Sequence, residues 1–252
     1  MNKFSTPDPN REFDEKIRQA RRDYPQPEYL DFCYLAAREV QELREMVEKS
    51  ASETELDHFI RGEPNLLSSL LHFASTGHHG GKAYPQQVIR PSVRGEIKGQ
   101  IPDYLVSGES SEGTSWWVLE LKGPKEKIFV KTADGLKLGD TANKGLLQIH
   151  KYVEFCKEHH ASLRDTLGLK DFSTPNGILI IGREAELLDP ERRTLKKALG
   201  GPLTPIRIRT WDSLLRSLEH KLAFIGQREI DPLRGPQLED WASDSPNEKS
   251  LR

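Results

Sequence analysis

Apolar and polar positions along this chain fall into blocks with different periods. From Tyr29 to about Lys49, YLDFCYLAAREVQELREMVEK places Leu30, Cys33, Leu35, Val40, Leu43 and Val47 at helical spacing, which predicts an amphipathic helix. Ser50 to Ser52 ends it. The next segment, ETELDHFIRGEPNLL, reads as a second helix, with Ser52 as its cap, an acidic first turn, and Leu56, Phe59 and Ile60 on the inner face. Gly62 and Pro64 interrupt it, and Asn65 is placed to cap a short apolar helix, LLSSLLHFA. The glycines of STGHHGGKA predict a loop.

Strand signals follow. QQVIRPSV and IPDYLVSG are short β-prone segments with Gly95 and Gly99 between them, GESSEGTS reads as a hairpin turn, and WWVLELK reads as a third strand. IFVKTADGLKLGDTANKG lacks a clean period and predicts a long connection. A long helix is expected from about Ala142 to His160, with Leu146, Ile149, His150, Val153 and Cys156 on or near its core face. NGILIIGR (176–183) is almost wholly apolar, as a strand buried on both faces would be. DPERRTLKKAL predicts a helix opened by Asp189 with Pro190 first. PIRIRTW predicts a strand and WDSLLRSLEHKLAFI a closing helix. Strands interleaved with helices predict an α/β fold around one mixed sheet. Residues 1 to about 25, interrupted by Pro7, Pro9 and Pro25, predict a loose arm, and the polar tail from about Gln227 predicts disorder.

Composition narrows the function classes. The chain has 252 residues, 35% hydrophobic and 30% charged, enough for one large domain with a helical arm. No stretch approaches the roughly 20 apolar residues that span a bilayer. The opening MNKFSTPDPNREFDEK has no apolar core of the secretory kind. Cys33 and Cys156 stand far apart in no metal or redox spacing, so a reducing compartment, the cytoplasm, is expected. A net charge of −2 argues against a globally basic coating protein. It leaves room for a local basic patch. Lys122, Lys125, Lys127, Lys131 and Lys137 form such a run, for which a solvated loop is the plainest account.

The candidate chemistry lies in WWVLELK. Side chains alternate across a strand, so Trp117, Leu119 and Leu121 share one face, and Val118, Glu120 and Lys122 share the other. IPDYLV supplies a second acid, Asp103, and a hairpin-length turn lets the two strands pair. Burying two unpaired carboxylates costs roughly several kcal/mol. A divalent cation relieves that cost, and oxygen ligands suit Mg²⁺, with Mn²⁺ as the alternative. A second Glu-x-Lys, Glu96-Ile97-Lys98, lies between glycines in a polar connection and lacks the strand setting. The adjacent pairs His78-His79 and His159-His160 do not face one another on a helix and read as surface residues. Trp116 and Trp117 read as core rather than base-stacking residues. Arg183 suits either a phosphate contact or a solvent-facing strand end.

The order Pro102-Asp103 followed by Glu120-Leu121-Lys122 resembles the PD-(D/E)xK nuclease superfamily, whose fold is a restriction-endonuclease-like mixed central sheet flanked by helices. Gln148 with Tyr152 one turn later, in LLQIHKYVEF, is similar to a pattern that follows the lysine in many such nucleases. SETELDHFIRGEPNLL, GILIIGR and IRIRTWDSLL together resemble the Shedu antiphage-defence nuclease domain over about residues 50 to 222. The resemblance implies Mg²⁺-dependent hydrolysis of DNA phosphodiesters. Asp103 and Glu120 would hold the metal, with the Leu121 carbonyl facing it. Lys122 would orient the attacking water and Gln148 would brace the site. An acid of the opening helix, Glu53 or Glu55, would complete it, with Glu53 favoured by its face. It further implies an N-terminal arm and helix (1–50), a nuclease-like domain (51–226) and a tail (227–252). DNA is the expected partner, with no membrane, and the helix at 29–49 offers a surface for a homo-oligomer. The rival reading is a catalytically silent scaffold that binds nucleic acid or a partner protein.

Overall fold

The computed structural model describes residues 29–30, 35–63, 66–67, 81–85, 89, 100–169, 171–199 and 206–225. Tyr29–Leu30 (β1) is followed by helices Ala37–Glu48 (α1) and Glu53–Gly62 (α2), then strands Gly81–Pro85 (β2), Tyr104–Ser110 (β3) and Gly113–Leu121 (β4). A hairpin, Phe129–Thr132 (β5) and Gly135–Leu138 (β6), leads into the long helix Asp140–Leu167 (α3). Strand Asn176–Ile180 (β7), a 3₁₀ turn at Glu184–Leu187, helix Pro190–Leu199 (α4), strand Ile206–Arg209 (β8) and helix Trp211–Ile225 (α5) complete the order.

The central sheet runs β1-β2-β3-β4-β7-β8. Its first four strands are antiparallel, whereas β4–β7 and β7–β8 are parallel. The mixed α/β architecture expected from the alternating pattern is therefore present. The β3–β4 register pairs Tyr104 with Leu119, which leaves Asp103 and Glu120 as the next residues at the end of the ladder.

Alternation along each strand divides the interior in two. Tyr104, Val106, Leu119, Leu121, Ile178 and Ile180 face a core completed by α1, α2 and α5, with Leu43, Leu56 and Trp211 among its buried residues. Leu105, Val118, Leu179 and Ile208 face the opposite core, completed by Ile149, Val153 and Cys156 of α3. Helix α3 lies close on the sheet because two glycines allow it. A Cβ at Gly177 would come within 2.1 Å of Ile149, and one at Gly145 within 2.7 Å of Leu179. That approach sets the height of Gln148 and Tyr152 above β4.

Several expectations are corrected. Tyr29 and Leu30 do not begin the first helix; they pair with Lys82 and Gly81 at the sheet edge, and the helix starts at Ala37. Gly81, Lys82 and Ala83, expected in a loop, form β2, because pairing with Gly108, Ser107 and Val106 supplies hydrogen bonds that local sequence does not advertise. The segment after Ile128, expected to be an unstructured connection, contains the β5–β6 hairpin. Ala133-Asp134 turns it and Gly135, paired with Thr132, follows at φ +114°, while Phe129, Leu136 and Leu138 pack on the second core. Helix α3 extends further at both ends than its apolar spacing indicates. Of QQVIRPSV, Ile89 forms an isolated bridge to Gln100. The rest of that segment, Cys33, Asn65, most of LLSSLLHFA, the arm before Tyr29 and the tail lie outside the described residues. Among the described residues, no helix is long and apolar enough to cross a membrane.

Candidate active site

At the carboxyl end of β4 the ladder brings charged groups together. Asp103, just before β3, accepts the backbone N–H of Leu121 through Oδ2 at 2.7 Å. Glu120, 3% exposed, accepts from Lys122 Nζ through Oε1 at 2.9 Å. The same ammonium reaches Glu53 Oε1 at 3.3 Å, from the first turn of α2. Glu120 Oε2 is buried with no hydrogen-bond partner. A buried carboxylate oxygen without a donor is costly and calls for a proton or a cation.

The electrostatics follow from that crowding. Burial, then the neighbouring Asp103 charge, pushes the Glu120 carboxyl up to about 7, against the opposing pull of Lys122. Burial also raises Asp103 and Glu53, which Lys122 partly offsets. For Lys122, burial alone would favour loss of its proton. The hydrogen bond and charge of Glu120, with Glu53 and Asp103 behind them, outweigh this and hold the ammonium above its ordinary range. Among the described residues Lys122 is the one cation acting on all three carboxylates, Arg61 acting on Asp103 alone and against the charge of Asp57, so the cluster carries excess negative charge whenever all three are ionised.

The lysine is held by its backbone as well. Its N–H donates to the Ile180 carbonyl at 2.8 Å, and its carbonyl accepts from Trp211 Nε1 at 2.8 Å. Helix α3 contributes Tyr152, whose hydroxyl donates to the Ile101 carbonyl at 3.1 Å, two residues before Asp103. Burial, then the charges of Glu120 and Asp103, raises the Tyr152 phenol to about 12, so it stays protonated as a donor. Gln148, one turn earlier, acts on that hydroxyl by a side-chain hydrogen bond. Among the described residues it makes no direct bond to the acids or the lysine, and its link to them runs through Tyr152.

The two candidate acids of the opening helix have separate places. Glu55 closes the capping box of α2, accepting from Ser52 N–H and Oγ at 2.7 Å each, while Glu53 reaches Lys122. Leu121 is fully buried in the first core and can offer the site its backbone alone. One turn beyond Glu53, Asp57 accepts from Tyr104 Oη at 2.5 Å and from Arg61 Nε at 3.0 Å. This network joins α2 to the residue after Asp103. Sequence reasoning missed it, although Glu53, Asp57 and Arg61 share one helix face by their spacing of four. No sequence signal pointed to Trp211, which donates across the gap between α5 and β4.

The remaining candidates are structural. Trp116 is buried, donates to the Asp171 carbonyl at 3.0 Å and packs edge-on against Phe172, and Trp117 packs against the first core. The His159 ring packs tilted against Phe155, and His160 contacts the Lys157 carbonyl; His78 and His79 lie outside the described residues. Arg183 is not a solvent-facing strand end, because it pairs with both oxygens of Asp212 and donates to the Val47 carbonyl. Among the described residues, no group of three or more His, Cys, Asp or Glu side chains is arranged to hold a metal ion. Asp103 and Glu120 nonetheless fit a hard cation as a pair, on the strength of the orphaned Glu120 Oε2 and their mutual repulsion.

Comparison with family models matches residues 50–215 to the family described as Shedu protein SduA, C-terminal. Asp103, Glu120, Lys122, Gln148, Glu53 and Trp211 all fall within the matched span. Among curated proteins, none matches the chain.

Proposed function

The chain belongs to the Shedu family, which is linked to antiphage defence, and on that premise we propose that it is a Mg²⁺-dependent endodeoxyribonuclease acting against phage DNA in the cytoplasm. The single observation that supports the reading most is the buried Glu120 carboxylate beside Asp103, with one oxygen unpartnered and Lys122 as its only counter-charge on the strand.

Asp103 and Glu120 would hold the cation, with the Leu121 carbonyl as a further oxygen donor. Glu53, which reaches Lys122 and forms no three-acid group with them among the described residues, would join only by leaving the lysine. A bound Mg²⁺, or Mn²⁺ in its place, supplies Lewis acidity at a phosphate oxygen and lowers the pKa of water. Lys122, fixed at both ends of its backbone, presents an ammonium that orients the attacking water and offsets charge developing on the phosphate. Water oxygen forms the new P–O bond, and the ester P–O bond breaks to release one DNA end. Tyr152 and Gln148 hold the chain leading into Asp103, so the acid keeps its distance from Glu120. Self-association would set two such sites on opposite strands.

Purified protein with supercoiled plasmid and Mg²⁺ tests this. Conversion to nicked or linear DNA is expected, with activity falling about a hundredfold or more in Glu120→Gln and Lys122→Ala. Undiminished cleavage by both variants would remove these residues from the chemistry. The second reading, a silent scaffold that binds nucleic acid or a protein, is favoured by the lack of a three-ligand group among the described residues. Calorimetry separates the two: no Mg²⁺ or Mn²⁺ binding that depends on Asp103 selects the scaffold.

A further inference from the structure

Charge is segregated along the chain immediately after the catalytic strand. Between Gly123 and Tyr152, six lysines (125, 127, 131, 137, 144 and 151) stand against Glu126, Asp134 and Asp140, a net charge of +3. The whole chain carries −2, so the remainder carries −5. All six lysines are exposed, and among the described residues none is held in an ion pair. A solvated loop accounts for Lys125 and Lys127, which precede the hairpin, but the other four lysines stand on the hairpin and the first half of the helix, both anchored to the second core.

The anchoring is specific. Ile128 N–H donates to Glu186 Oε2 at 3.1 Å, Gly139 N–H returns to the Ile128 carbonyl at 2.9 Å, and Phe129 is fully buried. Opposite residues of an antiparallel pair share a face, so Phe129, Leu138 and Leu136 turn inward together, while Val130, Lys137 and Thr132 turn outward. Lys131 sits near the tip on the inward-turning face but remains exposed. On α3, Lys144 and Lys151 lie four before and three after Gln148, hence along the same side of the helix. At the other end, Lys125 is close enough to Glu55 for its charge to act on that carboxylate, at the start of the helix that delivers Glu53. The cationic segment therefore begins and ends at residues bordering the candidate site.

We propose that residues 123–152 form the surface that carries duplex DNA to the site, with the β5–β6 ribbon lying against the duplex and Lys131, Lys137, Lys144 and Lys151 contacting phosphates on either side of the scissile bond. A two-stranded ribbon is of a size that enters a major groove, and rigid anchoring lets it fix the register of the backbone without reading sequence. This surface rests on the DNA-cleavage reading and adds to it the element that binds the substrate.

The test measures binding of the full chain to a short duplex in EDTA, which prevents cleavage, over a series of salt concentrations. Plasmid cleavage by the wild type in Mg²⁺ runs alongside. The slope of log K against log [salt] is expected to shrink by roughly 2 in K131Q/K137Q, about 0.9 for each phosphate no longer neutralised. It should be restored in K131R/K137R and unchanged in the control R38Q/K49Q, which alters α1 and the residue that caps it. An unchanged melting curve confirms that the ribbon is intact. If the wild type cleaves plasmid and K131Q/K137Q retains its slope and affinity, the ribbon assignment falls while the nuclease reading stands. If the wild type neither binds duplex nor cleaves plasmid, both fall.

Discussion

The indole of Trp211 holds the backbone of Lys122, its Nε1–H donating to the lysine carbonyl oxygen across 2.8 Å. Trp211 is itself fully buried among Leu121, Ile180 and Leu214 of the first core, so the donor is fixed. Trp211→Phe keeps most of that packing and removes the N–H, leaving a buried carbonyl without a partner. A stability loss of about 1–3 kcal/mol is expected. Because the same bond sets where the lysine side chain departs from the strand, the proposed nuclease activity should lose kcat with KM nearly constant. A melting shift with kcat per folded molecule intact would make Trp211 a packing residue only.

Glu120 gives a pH dependence of definite sign. Its folded pKa, about 7, lies above its ordinary value of 4.5. Between those values the unfolded chain has lost the proton and the folded chain keeps it, so stability declines as pH rises through that window and levels off above it. The shift corresponds to about 3 kcal/mol as an order of magnitude. Denaturant titrations from pH 4.5 to 8 should show this decline in the wild type and a flatter curve in Glu120→Gln. Parallel curves would show that Glu120 is not the group held protonated.

Cation binding should reverse that decline. With Asp103 and Glu120 as ligands, saturating Mg²⁺ at pH 8 adds about 2.7 kcal/mol at one hundred times its dissociation constant. Thermal melts should therefore rise with Mg²⁺ in the wild type and not in Asp103→Asn. The increment should shrink towards pH 5, where Glu120 keeps its proton.

Arg183 and Asp212 form a second linkage of opposite sign. Burial would raise the Asp212 carboxyl, but bonds from the Arg183 side chain and the Glu184 N–H hold it below its ordinary value. A depressed folded pKa contributes stability that is complete above the unfolded value, near 3.8, and lost as pH falls through the folded one. Asp212→Asn should thus melt lower than wild type at pH 7, and the gap should narrow in strong acid. Since Arg183 also donates to the Val47 carbonyl, the variant should loosen α1 as well, read as faster amide exchange at its carboxyl end.

By itself, the sequence determined the alternation that turns Glu120 and Lys122 to one face, the helices that carry local signals, and the pairing of Asp103 with the end of β4. Ser52 capping α2, Pro190 opening α4 and the apolar run of β7 are local properties, and they formed as their residues dictate. What it left open was decided by contacts between distant segments. The helix face favours Glu53 over Glu55 only slightly as first-turn acids, and the choice is decided when Ser52 takes Glu55 and Lys122 takes Glu53. Tyr29–Leu30 and Gly81–Ala83 carry no strong strand signal, and become strands because neighbouring edges supply hydrogen-bond partners. The β5–β6 hairpin did carry a local cue in Asp134-Gly135, but its short strands become stable only with Phe129, Leu136 and Leu138 packed under them. The bond from Trp211 to Lys122 and the Asp57 bridge to Tyr104 span 89 and 47 residues of chain. No local pattern encodes such a distance, because each bond exists only once α2 and α5 have packed on the first-core face of the sheet.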